Sequence, residues 1–264
     1  MLFLWQICCV MNWMKLALNI IVSAILWLFL AVSSLLFFII DFAVWLLTCW
    51  WDKRLVILQK YSTFWAMFYI WIIPGWKVKV HGLEKINKNK AYVIVSNHQS
   101  AFDIVLLYRL YTHFKWVAKK ELAKVPVIGW NLLLNDSILI DRASAVSTKK
   151  MINKGLKHLN KGNSILIFPE GTRSKDGRVK RFKEGAFLLA QQAKVPILPL
   201  VIEGSKDIFP KPAIIRLRQE LTIKVLDPIS IETVTTSTVP ELTKFVNQLI
   251  TTEHEMLAPE KYKA

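Results

Sequence analysis

Residues 97 to 103 read NHQSAFD, which sets His98 five positions ahead of Asp103. A neutral imidazole, with a pKa of about 6.5, can take up a proton near neutral pH. It works as a base only if one ring nitrogen is held as a donor and the other is left free. An aspartate on the far nitrogen supplies that hold, as in serine hydrolases. The chain has no serine on a Gly-x-Ser-x-Gly turn to act as nucleophile, so the histidine would have to activate the substrate's own hydroxyl. The same residues also read as a helix start, with Ser100 and Asp103 forming a capping box and His98 in the loop before it. Within one regular helix, five residues turn through about 140°. His98 and Asp103 therefore meet only if His98 lies in the turn before the helix, where the capping box puts it, and the two readings are compatible.

A second stretch, SILIFPEGTRSKDGRVKRFKEGAFLLA, ends an apolar run in Pro169. Glu170, Gly171, Thr172, Arg173 and Ser174 follow, then a basic tract of Lys175, Arg178, Lys180, Arg181 and Lys183. Most basic runs are solvated loops. A strand end followed by glycine and an arginine-bearing turn also suits a phosphate, because backbone N–H groups come close and a guanidinium grips two oxygens at once. Arg173 is the candidate for that grip. In SILIDRASA, Asp141 and Arg142 again follow an apolar run. There Asp141 or Ser144 can cap the next helix, or Arg142 can be a second phosphate ligand. VPILPLVIEG reads as two prolines around a short strand and by itself carries no chemistry.

These loops need strands to hold them. From Trp76 to about residue 228, short β-branched runs alternate with amphipathic stretches, the pattern of an α/β domain. The expected strands are KVKVH, AYVIVSN, KWVAK, SILI before Asp141, SILIFP, ILPLVI and LTIKVL. Helices are expected over 101–111, 144–159, 183–193 and about 240–255, the last with Thr238 as N-cap and Pro240 in its first turn. His98 falls at the C-terminal end of a strand, where open α/β sheets place their ligands.

The chain of 264 residues is 53% hydrophobic and carries a formal charge of +16. Its pI is near 9.8, which together with the apolar content is unusual for a soluble domain. The two properties lie apart. Before Lys53 the charged residues are Lys15, Asp41 and Asp52, whereas nearly all the basic excess follows Lys77. Leu16 to Ile40 contains no charged side chain. As a helix it would extend about 38 Å, against a hydrocarbon core of about 30 Å, and it is too long for the apolar region of a signal peptide. FAVWLLTCWW after Asp41 and YSTFWAMFYIWII before Pro74 are shorter and rich in Trp and Tyr, which prefer the headgroup level. Either one spanning helix with interfacial helices or a helical hairpin in one leaflet fits. Lys53, Arg54 and Lys60 follow the apolar stretch where only Lys15 precedes it, which places the later chain in the cytoplasm. Cys8, Cys9 and Cys49 all lie in the front, so neither a disulfide framework nor a cysteine metal site is supported. The aromatic residues concentrate in that lipid-facing part and no nucleic-acid motif appears. The charge therefore suits anionic lipid rather than nucleic acid.

Together NHQSAFD, SILIDR, FPEGTRS and VPILPLVIEG, in that order, resemble the four sequence blocks of the glycerolipid acyltransferase family. Within that family they are most similar to the bacterial 1-acyl-sn-glycerol-3-phosphate acyltransferases, as are VHGLE and VAKKELAKVPVIGW. The resemblance covers roughly Lys77 to Gly204. It implies an α/β fold with a mixed sheet flanked by helices over 76–264, preceded by a membrane-associated helical region over 1–75. The implied reaction moves a fatty acyl group from acyl-CoA or acyl carrier protein to the 2-hydroxyl of lysophosphatidic acid, giving phosphatidic acid for phospholipid synthesis. No metal or tightly bound cofactor and no nucleic-acid partner is expected. By the same resemblance His98 would be the base and Asp103 would orient it. Arg142, Glu170, Gly171, Thr172 and Arg173 would form the glycerol-phosphate pocket, with Lys120 of AKKEL as a further basic contributor, and Pro199 would shape the acyl-donor side. An acyltransferase of this family acting on glycerol-3-phosphate or another lysophospholipid, or a membrane lipid-binding protein without turnover, would keep the same pocket. In one place the chain departs from the pattern: NDSILIDR has Asn135 and Asp136 where the family usually has glycine or another small residue.

Overall fold

The computed structural model describes residues 2–73, 75–141, 144–210 and 214–263. No glycine or proline precedes Pro74, so no residue in the front breaks helical hydrogen bonding. Leu2–Thr48 forms one helix, α1, of 47 residues, about 70 Å long at its rise per residue. The two apolar stretches that flank Asp41 are therefore one element, where the sequence reads as two. Asp41 does not end the helix because it is fully buried. Its carboxylate accepts from Asn131 Nδ2 at 2.7 Å and from Ser62 Oγ at 3.3 Å. Asp52 Oδ2, accepting from the Ile57 N–H at 2.7 Å, pins the turn into α2 (Val56–Trp71).

The two helices run antiparallel. Tyr69 Oη lies 3.1 Å from Ser33 Oγ and 2.8 Å from Ser34 Oγ. Phe37 packs between Trp65 and Phe68, with ring centroids at 5.7 and 5.1 Å. The pairing of α1 with α2 fits both arrangements open from sequence. By length and composition, Ala17–Thr48 is also sufficient to cross a membrane. Leu28, Leu35, Ile39 and Leu47 point away from the protein, as a lipid-facing stripe does.

All seven expected strands form: β1 (Trp76–His81), β2 (Val93–Ser96), β3 (Phe114–Lys119), β4 (Ile138–Ile140), β5 (Ser164–Ile167), β6 (Ile197–Glu203) and β7 (Gln219–Val225). They make one sheet in the order β1-β7-β6-β2-β5-β3-β4. Every neighbouring pair is parallel except β6 with β7, so the sheet is mixed. Further helices are α3 (Asp103–Leu107), α4 (Ile128–Leu134), α5 (Ala145–Asn160), α6 (Gly185–Ala193), α7 (Ile231–Thr236) and α8 (Val239–Leu257). Strand β2 shows how the layers are built: Ile94 packs with residues of α2 and α3, while Val93 and Val95 face α5, α6 and α8.

The helix expected over 101–111 is shorter, because after Leu107 the chain tightens into a 3-10 turn that ends at Tyr111 with φ 49°. Helix α4 lies outside the helices expected from sequence and contains Gly129, a residue that ordinarily weakens a helix. That glycine is needed: a Cβ on Gly129 would lie 2.3 Å from the Ala123 carbonyl oxygen. Helix α8 starts as expected, with Thr238 and Glu241 in a complete capping box. At the departure from the family pattern, Asp136 takes φ 53°. That left-handed conformation favours glycine but is tolerated by aspartate, and Asp136 is further held by an ion pair to Lys154 at 2.6 Å. Because β3, β5, β2 and β6 run parallel, their C-terminal ends share one edge. The loops after Ser96, Ile167 and Glu203 meet there.

Candidate active site

Just past β2, Asn97 ties the chain to β6. Its Nδ2 donates to the Ile202 carbonyl and its Oδ1 accepts from the Ile202 N–H, both at 2.8 Å. His98 comes next, and its Nδ1 lies 2.8 Å from Asp103 Oδ2. The same oxygen accepts the backbone N–H groups of Gln99 at 2.7 Å and Ser100 at 2.9 Å. The expected capping box is half formed. Asp103 reaches back to the Ser100 N–H, but Ser100 Oγ accepts from Phe102 at 3.3 Å, and the Asp103 N–H goes to the Ser100 carbonyl at 3.2 Å. A carboxylate only accepts, so Nδ1 carries the proton and Nε2 presents a lone pair. Nε2 has no hydrogen-bond partner among the described residues. The ring stacks on Phe168 at 4.0 Å between centroids and 14° between planes. A base and a helix start are thus built from the same heptapeptide.

His98 lines a cavity of about 360 Å³ whose wall includes Trp27, Leu30 and Trp65 of the helical hairpin and Phe102, Trp116 and Phe168 of the α/β part. The hairpin is therefore a wall of this cavity as well as a neighbour of the sheet. Lys119, at the end of β3, is on the wall too and pairs with Glu121 at 3.3 Å. Lys120, the lysine singled out from sequence, sits exposed on the 3-10 turn that follows.

The FPEGTRS loop is stitched to the histidine loop through backbone groups. The His98 N–H donates to Glu170 Oε1 at 3.0 Å, and the Ser174 N–H donates to the His98 carbonyl at 2.8 Å. Glu170 is buried, and that burial pushes its carboxyl up to about 7 despite the hydrogen bond from His98. The folded state then holds the Glu170 proton more tightly than the unfolded chain does. Stability is therefore expected to fall, by an amount on the order of 2 kcal/mol, as pH rises from the ordinary glutamate range to just above neutral. Glu170→Gln should lose that fall, and thermal unfolding of both proteins between about pH 5 and 8 checks it. Parallel declines in the two would contradict it.

Gly171 takes φ 73°, and a Cβ there would fall 3.2 Å from Lys183 Cε, which lies over the turn. Thr172 and Arg173 are exposed. The Arg173 carbonyl accepts from Lys180 Nζ at 2.9 Å, while its exposed side chain has no ion-pair partner among the described residues and is open to a ligand. Arg142 lies outside the described residues; Ser144 is the N-cap of α5, accepting from the Ser147 N–H at 3.2 Å. Pro199 is buried inside β6 opposite Val95 and is not part of the cavity wall. The β6–β7 ladder begins one residue later, at Leu200, so proline's missing N–H costs the sheet little.

Four residues near His98 and Asp103 carried no assignment from sequence: Gln99, Glu203, Ser205 and His254. Ser205 Oγ donates to Asp103 Oδ1, while Gln99 Nε2 and His254 Nε2 both converge on Glu203 Oε2. The partners of Asp103 and Gln99 lie about a hundred or more residues away along the chain, beyond the reach of any local pattern.

A model of the Acyltransferase family matches residues 77–203. The 1-acyl-sn-glycerol-3-phosphate acyltransferase of Saccharomyces cerevisiae is 37% identical over 191 residues, covering 70% of this chain and 62% of that protein. The protein of the same name from Pseudomonas aeruginosa is 39% identical over 140 residues, covering 52% of this chain and 54% of its own. The chain thus spans less than two thirds of the length of these curated relatives. Among solved structures, the 1-acyl-sn-glycerophosphate (LPA) acyltransferase PlsC of Thermotoga maritima is similar with a TM-score of 0.65 and 25% identity, covering 86% of this chain and 97% of that one.

Proposed function

We propose, for a chain whose residues 77–203 belong to the acyltransferase family, that it transfers a fatty acyl group to the 2-hydroxyl of lysophosphatidic acid. The product is phosphatidic acid and the donor is acyl-CoA or acyl carrier protein. One observation carries the reading: the free Nε2 of His98 is oriented by Asp103, on the wall of an apolar cavity and next to the loop that bears Arg173. Nε2 removes the proton of the acceptor hydroxyl as its oxygen attacks the thioester carbonyl. The thiolate leaves and takes the proton back from the imidazolium, while Asp103 offsets the charge that appears on the ring between the two transfers. The cavity shelters an acyl chain. Gly171, Thr172 and Arg173 face the acceptor's phosphate, with Glu170 holding the turn against His98 and Arg142 and Lys120 as further cations. The relatives whose names state this acceptor support the choice.

The protein works at a membrane, with lipids against the outward face of α1 and the α/β part on the cytoplasmic side. Lys53 and Lys60 after the apolar segment support that side. Arg54 is engaged within the protein, donating to Asn163 Oδ1 at 2.8 Å and to the Gly162 carbonyl.

Detergent-solubilised protein supplied with acyl-CoA is expected to turn over lysophosphatidic acid faster than glycerol-3-phosphate or lysophospholipids with larger headgroups. A preference for any of those would overturn the choice of acceptor. Arg173→Ala should raise the KM for lysophosphatidic acid about tenfold or more, with the donor KM changed much less, because it removes the bidentate grip on phosphate. An unchanged acceptor KM would remove Arg173 from the pocket.

A further inference from the structure

The Asp103 carboxylate is fully buried, and its two oxygens are used differently. Oδ2 takes the three donors of its own turn: the N–H groups of Gln99 and Ser100 and Nδ1–H of His98. Oδ1 takes a donor from a different loop, the hydroxyl of Ser205, which is also fully buried. Ser205 reaches that place because β6 is followed by Gly204 at φ 89°, where a Cβ would lie 2.1 Å from the Glu220 carbonyl oxygen. The turn is open only to glycine, and it swings Ser205 under the aspartate.

We propose that Ser205 is a positioning residue of the reaction: its hydroxyl fixes the rotation of the Asp103 carboxylate so that Oδ2 stays aligned with His98. The inference rests on the reading of His98 as the base. Without the fourth donor, Oδ1 would be an unsatisfied charged oxygen in a fully buried site, and the carboxylate would gain by turning away from the ring.

The serine is itself held from behind. Gln99 presents its Oε1 to Ser205 Oγ at 3.4 Å, and its Nε2 donates to Glu203 Oε2 at 2.9 Å and to the Gly177 carbonyl at 3.0 Å. Two oxygens on the nitrogen side settle which way the amide faces. Glu203 also receives His254 Nε2 at 2.6 Å and the Lys261 ammonium. Burial acts to raise its carboxyl, but the hydrogen bonds from His254, Lys261 and Gln99 outweigh that and hold it down to about 2. With Nε2 donating, His254 Nδ1 accepts from Tyr262 Oη at 2.9 Å, and that oxygen accepts from the Val179 N–H at 3.1 Å. The end of α8 and the residues after it thereby brace the amide that faces Ser205. A closed network of this kind keeps one arrangement because each alternative leaves a buried group unpaired.

A double-mutant cycle tests the proposal. Ser205→Ala is expected to lower kcat about 10- to 100-fold, with both KM values within about twofold of wild type. In an Asp103→Asn background the same substitution should lower kcat by no more than about twofold, because the charge through which Ser205 acts is already gone. If the alanine variant does not fold, Ser205→Cys, close in size but a weak donor, carries the same two expectations. Unchanged kcat, a loss that appears in KM, or equal losses in the two backgrounds would overturn the role of Ser205. Asp103→Asn alone tells the two failures apart. If it leaves turnover intact, the reading of His98 and Asp103 fails. If it slows turnover while Ser205→Ala does not, only the role of Ser205 fails.

Discussion

His98→Ala is expected to slow acyl transfer by about 10²- to 10⁴-fold while lysophosphatidic acid still binds. The split between rate and binding follows from which atoms of His98 hold the site together. Its N–H and carbonyl tie the loop of Glu170 and Ser174 in place, and alanine keeps both. What alanine removes is the ring, which touches Phe168 and Asp103 and carries the free Nε2. The rest of the cavity wall and Arg173 lie on other residues, so the acceptor KM should stay within a few-fold of wild type. Steady-state kinetics with purified protein decides it. Turnover near the wild-type rate would remove His98 from the chemistry.

Asp103→Asn should produce a loss of similar size, about 10²- to 10⁴-fold in kcat, without unfolding the turn. An asparagine can leave its oxygen where Oδ2 sits, on the N–H groups of Gln99 and Ser100 and on His98, and turn its amide nitrogen toward Ser205 Oγ, which can accept. The geometry survives and the negative charge does not. In the wild type that charge faces the imidazolium that forms when the hydroxyl proton is taken, in a fully buried setting where the attraction is weakly screened. A thermal midpoint close to wild type together with the loss in kcat is the expected pair of results. Full activity in Asp103→Asn would mean that the histidine needs no counter-charge.

Much of this site was legible in the sequence because its parts are local. The β-branched runs mark all seven strands, and a histidine just past a strand end lies where parallel sheets collect ligands. Ser100 and Asp103 set the turn geometry within a few residues of His98. What stayed hidden depends on contacts far along the chain. Asp41 looks like a helix boundary until Ser62 and Asn131 are seen to satisfy it. Gly129 looks like a helix breaker until the Ala123 carbonyl is seen beside it. The cavity needs Trp27 and Trp65 from the hairpin against Trp116 and Phe168 from the sheet, and no single stretch contains both. Ser205 follows a glycine in an ordinary-looking turn, and its partner Asp103 is 102 residues away.

The central claim is that His98 works directly on the acceptor's hydroxyl, with no acyl group ever held by the protein. Rapid chemical quench of the purified enzyme with labelled acyl donor, with and without lysophosphatidic acid, tests it most directly. The account predicts that no label remains on the protein in either case, and that donor is consumed only when lysophosphatidic acid is present, the label then appearing in phosphatidic acid. Stoichiometric acyl-protein formed from the donor alone would contradict it.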